Sequence, residues 1–320
     1  MRPRGESPQF DALCIGETMV MVTPAEVGRL RAETPMLLRP GGAESNVALH
    51  LAALGHTAAW AGQLGNDPFG ELILDELAAR GVDTSLSGKI ANAPTGVYFK
   101  DPGPKGTSVY YYRTGSAASQ MSPATVEGWP SGLARVVHLS GITAVLSADC
   151  RALMRHVIHG RPFDGIVSFD VNYRPQLALP DAPDVLLELA QASDIVFVGR
   201  DEAEALWATA DAASIRALID RPAHLVVKDG GIDALEFSGA DFSRVPSPRV
   251  TVLEAVGAGD AFAAGWLSGF LRNAPAETRL TLGHYVASRV LASTTDHAPL
   301  GSPAEITTLL NHSPLDWHKS

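Results

Sequence analysis

Cysteine is nearly absent: Cys14 and Cys150 are the only two in 320 residues. Two cysteines cannot build a disulfide framework, so a stapled secreted scaffold is excluded and a reducing, cytoplasmic setting is expected. Positive charge is also scarce. Lys and Arg number 25 against 35 Asp and Glu, a net charge of −10, which leaves no electrostatic footprint for a general nucleic-acid binder. A locally positive pocket can still take a small anion in such a protein. No run approaches the ~20 apolar residues of a membrane span. The opening MRPRGESPQF carries arginines with no apolar stretch behind them, so it reads as a loose tail rather than a signal peptide. Disorder is excluded by composition, with 46% apolar and 19% charged residues.

Short apolar runs alternate with amphipathic segments. Ala12–Ile15, Ala58–Ala61, Val136–Leu139, Ile166–Phe169, Ile195–Val198 and Leu225–Val227 are brief, and all but Ala58–Ala61 carry Val or Ile, which predicts buried strands. Between them, Ser45–Leu54 carries Val47, Leu51 and Leu54 on one helical face, and Phe69–Arg80 carries Phe69, Leu72, Ile73 and Leu77. Such alternation predicts an α/β fold with a mostly parallel sheet covered on both faces. Thr95–Lys100 and Thr107–Arg113, separated by the turn-forming run DPGPKG, predict a hairpin; Val20–Thr23 and Met36–Arg39 add further strands. No linker, repeat or low-complexity tract divides the chain. Residues 1–320 therefore read as one domain with a small β lid, its segments at roughly 20–39 and 94–114.

Chemistry concentrates in two glycine-bearing blocks. In Glu254-Ala255-Val256-Gly257-Ala258-Gly259-Asp260-Ala261-Phe262, two glycines precede an amphipathic helix. Free N–H groups and the positive dipole end at such a helix start suit a phosphoryl group. Asp260, in the first turn, is placed to accept a proton from an attacking hydroxyl. The second block is Gly41-Gly42-Ala43-Glu44-Ser45-Asn46, with Ser45 as the expected N-cap and Gly55 ending the helix.

Together these blocks resemble the ribokinase-like, or PfkB, carbohydrate kinases, as does Gly65-Asn66-Asp67-Pro68-Phe69-Gly70. The resemblance spans nearly the whole chain. It implies a three-layer sandwich around a central sheet, with the lid over the sugar, and transfer of the ATP γ-phosphoryl group with Mg²⁺ at the nucleotide phosphates. Asp260 would be the base, and Gly257, Ala258 and Gly259 the anion hole. Gly42, Ala43, Glu44 and Asn46 would line the sugar site. Tyr110-Tyr111-Tyr112-Arg113-Thr114-Gly115, Asp170-Val171-Asn172-Tyr173-Arg174-Pro175, His138-Leu139-Ser140-Gly141-Ile142 and Thr295-Asp296-His297 resemble segments of the 2-keto-3-deoxygluconate kinase branch.

Strand alternation puts Tyr111 and Arg113 on one face. The Arg113 fork matches a carboxylate, and Tyr98 on the partner strand can meet the same ligand. Arg174 would hold either the substrate carboxylate or the transferring phosphate. Asn172 would bond either nucleotide phosphate or substrate, Lys228 and His284 are implied nucleotide contacts, Asp296 a contact to a distal hydroxyl, and His297 is read as structural. Of the family's Asn-x-x-Glu, the aligned Gly199-Arg200-Asp201-Glu202 keeps Glu202, which would organise water around magnesium. Glu254 and Val256 replace an Asp and a Thr common in the family, so potassium dependence is not expected.

The reading is an ATP-dependent kinase for a small sugar acid, with 2-keto-3-deoxygluconate first. A kinase for a neutral ketose such as fructose, or a silent sugar-binding protein, are the alternatives. A homo-oligomer paired through exposed lid edges is expected.

Overall fold

The strands form where the short β-branched runs predict them, and nine of the strands among the described residues join in one twisted sheet. The computed structural model describes residues 8–26, 28–103, 106–177, 179–209, 211–293, 300 and 306. In spatial order the sheet runs Asp241–Pro246, Asp233–Ser238, His224–Asp229, Ile195–Gly199, Ile166–Asp170, Ala134–Ser140, Phe10–Ile15, Ala58–Ala61 and Val82–Asp83. Every pairing from His224–Asp229 to Val82–Asp83 is parallel. Asp233–Ser238 and Asp241–Pro246 form an antiparallel hairpin on one edge. Sequence reasoning did not foresee this hairpin, because its strands are only half buried and carry little apolar signal.

Alternation along each strand builds two cores. Leu13, Val137, Phe169 and Val198 face a layer that includes the helices Ala148–Gly160 and Ala182–Ala192. Ala12, Cys14, Val136 and Phe197 face the opposite layer, with Ala43–Ala53 and Ala258–Leu271. Ala258–Leu271 packs closely against Ala276–Leu291, and Gly265 makes the approach possible: a Cβ there would run into the Leu282 backbone. Cys14 and Cys150 are both free and buried.

A second sheet of four strands has the order Met36–Gly41, Met19–Pro24, Val97–Gly103, Gly106–Tyr112. Its hairpin pairs Tyr98 with Tyr111 and Lys100 with Val109. Two local expectations are corrected. The first helix starts at Ala43 with Gly42 as its N-cap, not Ser45, whose hydroxyl instead donates back to the Gly42 carbonyl at 3.1 Å. Gly55 does end that helix, just past Leu54, with φ of 87°. Among the described residues no helix is long and apolar enough to cross a membrane.

Candidate active site

The parallel strands end together on one edge of the sheet, where open α/β sheets place their ligands. Glu17 follows Phe10–Ile15, Asp170 closes Ile166–Asp170, Gly199 closes its strand and Lys228 lies near the end of another. The turn before Ala258–Leu271 reaches the same edge. Gly257 caps that helix with φ of 84°, a conformation that side-chain-bearing residues adopt at a cost. The Ala258 N–H bonds back to the Ala255 carbonyl at 3.3 Å, which closes the turn. A Cβ on Gly259 would stand 3.5 Å from the Lys228 ammonium, so a cation flanks the turn.

Asp260 sits in the first helical turn, only 6% exposed. Its two carboxylate oxygens accept from the Asn46 amide at 2.9 Å and the Asn172 amide at 3.1 Å. Asn172 reaches it from a left-handed backbone conformation, φ 41°. Burial pushes the Asp260 carboxyl up to about 6, against the pull of the Asn46 hydrogen bond and the Arg174 charge. A carboxylate with that affinity, oriented by two donors, is suited to general-base work near neutrality.

Lys228 binds both oxygens of Asp170, at 2.9 and 3.1 Å. Glu202 accepts from the Gly199 N–H at 2.8 Å and faces Arg174 at 3.5 Å. Its carboxyl is raised by burial, with Lys228 opposing the shift. A cleft of about 650 Å³ opens beside these groups. Asn172, Arg174, Glu202 and Lys228 supply its polar end with Ala258 and Gly259; Val250, Val252, Phe262, Ala287 and Leu291 supply an apolar end. His284 lines the cleft too, buried against Phe262 and bonded to the Val245 carbonyl at 3.1 Å. Seven residues named from the sequence as nucleotide, metal or anion-hole contacts thus surround one cavity.

The lid residues form a separate group over the mouth of Ala43–Ala53. Tyr98 and Tyr111 lie 5.7 Å apart, and the Arg113 guanidinium stands 5.8 Å from the Tyr111 ring. Tyr98 comes against Gly41 so closely that a Cβ there would strike its hydroxyl. Arg113 is buried and paired with Glu17. Sequence reasoning missed Glu17, although its position just past a central strand was the available signal. Asp170 was missed as Lys228's partner for the same reason. Buried polar atoms at this mouth that lack a hydrogen-bond partner among the described residues include Thr18 Oγ1, Glu44 Oε2, Asn46 Oδ1 and Arg113 Nε.

Glu44, expected to touch substrate, is fully buried: one carboxylate oxygen accepts from the Ser140 N–H and hydroxyl and the Thr143 hydroxyl at 3.1, 2.7 and 2.8 Å, and the other has no hydrogen-bond partner among the described residues. It braces the helix mouth from below, and burial pushes its carboxyl up to about 7. Gly42 and Ala43 stay partly exposed at that mouth. Asp296 and His297 lie outside the described residues.

The three layers, the four-stranded lid and the glycine turn with its buried aspartate define a ribokinase-like enzyme that phosphorylates carbohydrates. The description "pfkB family carbohydrate kinase" matches residues 9–301. A 2-dehydro-3-deoxygluconokinase of Bacillus subtilis is 35% identical over 272 residues, covering 82% of this chain and 84% of that protein. A 2-dehydro-3-deoxygalactonokinase of Haloferax volcanii is 30% identical over 310 residues, covering 94% and 96%. The crystal structure of a PfkB protein from Polaromonas sp. JS666 superposes with a TM-score of 0.82 at 30% identity, covering 93% of this chain and 99% of that one. The chain belongs to the PfkB family of carbohydrate kinases.

Proposed function

We propose that this kinase transfers the ATP γ-phosphoryl group to the terminal C6 hydroxyl of 2-keto-3-deoxygluconate, giving the 6-phosphate. The observation that carries the reading is the buried Asp260 carboxylate, held by Asn46 and Asn172 between the cleft and the lid group. The cleft takes the nucleotide: its apolar end suits adenine, and its polar end with Lys228 suits phosphates. The sugar acid lies under the lid, where unpartnered Thr18, Asn46 and Arg113 atoms await hydroxyl and carboxylate partners. Asp260 accepts the hydroxyl proton as oxygen attacks phosphorus, and the N–H groups around Gly257–Gly259 hold the transferring oxygens. Arg113, steadied by Glu17, reads the carboxylate, and Arg174 stands at the phosphate side near Glu202.

Magnesium fits this donor set only lightly held. Among the described residues no cluster of three or more Asp, Glu, His or Cys can bind an ion, and Glu202 is engaged by the Gly199 N–H. A cation bound mainly by phosphate oxygens and water, with Glu202 behind a water, is what the residues allow; it would neutralise charge on the phosphates. We further read the chain as one kinase domain acting in the cytoplasm. A second copy would pair along the lid, whose outer strand is an edge carrying exposed Tyr110 and Tyr112.

The test is a coupled assay across 2-keto-3-deoxygluconate, its galactonate epimer, fructose and ribose. Preference for a keto-deoxy acid by ten-fold or more in kcat/KM supports the reading. Preference for fructose or ribose overturns the acid assignment, and no ATP consumption with any sugar overturns the catalytic one.

A further inference from the structure

The lid carries two polar residues that neither catalysis nor sugar binding uses. Lys100 is 1% exposed, and buried lysines are rare without a counter-charge. Its ammonium lies 3.8 Å from a carboxylate oxygen of Glu254. The same oxygen accepts from the Thr107 hydroxyl at 2.9 Å. Lys100 and Thr107 belong to the two strands of the lid hairpin, Val97–Gly103 and Gly106–Tyr112. Cross-strand register pairs Tyr98 with Tyr111, Lys100 with Val109, and Pro102 with Thr107. Alternation therefore puts Tyr98, Lys100, Thr107 and Tyr111 on one face. The base of that face covers the sugar mouth, and its tip grips Glu254.

Glu254 in turn controls the entrance to the anion turn. Its other carboxylate oxygen accepts from the backbone N–H groups of Ala255 and Val256, at 2.9 and 3.2 Å. Those two residues lead directly into Gly257 and the helix start. Behind them, the N–H groups of Leu253 and Glu254 bond to the Leu291 carbonyl at 2.8 and 3.4 Å, which anchors the base of the loop. Between that anchor and Gly257, the orientation of the Glu254 carboxylate sets where the chain enters the turn. One carboxylate thus holds the loop with one oxygen and the lid with the other.

We infer that Lys100 and Thr107 are positioning residues: through Glu254 they lock the Gly257–Gly259 turn into its phosphate-binding geometry when the lid is down. Rigid alignment matters because misplacing a catalytic group by about 1 Å can cost about a hundredfold in rate. A lid that covers the sugar mouth and also braces the glycine turn ties phosphoryl transfer to the position of the lid. This inference rests on the kinase reading and adds to it a mechanical link from the sugar site to the phosphate site.

The test compares Lys100→Met, Lys100→Arg, Thr107→Val, Glu254→Gln and the Lys100→Met/Glu254→Gln pair with the wild-type protein. Two measurements are made on each: hydrogen exchange of the 254–258 segment, and steady-state kinetics on the best sugar of the panel. Lys100→Met and Thr107→Val are expected to speed exchange at Ala255 and Val256 about tenfold, since the amides lose a fixed acceptor. They are expected to lower kcat by about ten- to a hundredfold, with KM for the sugar changed less than about threefold. Lys100→Arg should recover most of kcat, and the double variant should be no worse than the poorer single one. Unchanged exchange in both single variants overturns the clamp. Faster exchange with unaltered kcat overturns its role in positioning, as does full additivity in the double variant. A wild-type protein that phosphorylates no sugar defeats the kinase reading, and the exchange arm still decides the clamp. Thr107→Val, nearly isosteric, serves if Lys100→Met does not fold.

Discussion

Replacing Asp260 by Asn should inactivate the enzyme and stabilise the protein at once. Burial raises this carboxyl from 3.8 to about 6, roughly two pH units at about 1.4 kcal/mol each. An ionised Asp260 therefore costs the folded state about 3 kcal/mol. Asn is nearly isosteric and uncharged, so it removes that cost. One oxygen becomes an NH₂, however, and Asn46 and Asn172 both donate toward this side chain. A donor then faces a donor unless one amide turns over, which returns about 1–2 kcal/mol. The net expectation at pH 8 is a gain of about 1–2 kcal/mol, read as a midpoint shift of a few degrees or in denaturant.

The sign of the pH dependence is distinctive. A carboxyl whose folded value is raised carries its penalty in full above about 6 and loses it as pH falls toward 3.8. The gap between variant and wild type should thus hold from pH 8 to 6.5 and shrink by about 1.4 kcal/mol per unit below 6. Turnover should fall about 10²–10⁴-fold while ATP binding persists, and wild-type kcat/KM should climb with pH and level off above about 6. A variant no more stable than wild type at pH 8, or a gap that is flat with pH, would refute the energetic argument. Turnover within tenfold of wild type would remove Asp260 from the chemistry.

Arg113→Lys keeps the charge and loses the planar fork, so KM for a sugar acid should rise about tenfold or more with little change for a neutral sugar; equal effects in parallel assays would make Arg113 a lid support only. Glu17→Ala leaves the buried Arg113 guanidinium without its partner, and urea unfolding should show a loss of about 3–5 kcal/mol. Potassium should not activate. Both Glu254 oxygens are engaged by Thr107, Ala255 and Val256, and Val256 offers no side-chain oxygen. Activation of tenfold or more by potassium over tetramethylammonium at fixed ionic strength would contradict this.

What the chain declares locally, it declares clearly. The runs at Ile166–Phe169 and Ile195–Val198 become strands almost residue for residue, because a short β-branched stretch with both faces apolar has few other ways to bury itself. The Gly257 turn was legible as a turn before a helix, since a left-handed glycine at a helix start is a local backbone property, while its proposed role needed the second glycine block beside it. Tyr111 and Arg113 share a face by strand alternation alone. Partners were another matter. Glu17 with Arg113, Asp170 with Lys228 and Lys100 with Glu254 are joined across long stretches of chain, and no periodicity links such positions. Glu44 was expected at a helix mouth, but its bonds to the distant Ser140 and Thr143 were not legible in the sequence. Ser45 looked like a cap, yet the helix begins earlier at Gly42. Sequence by itself marked most of the central strands, the lid hairpin and the glycine turn with Asp260 as its candidate base, because these depend on neighbours a few residues away. Tertiary structure decided which charges are already paired, which carboxyl is buried and raised, and how the lid reaches the loop before the glycine turn. Those properties depend on desolvation and Coulomb contact, which act through space and not along the chain.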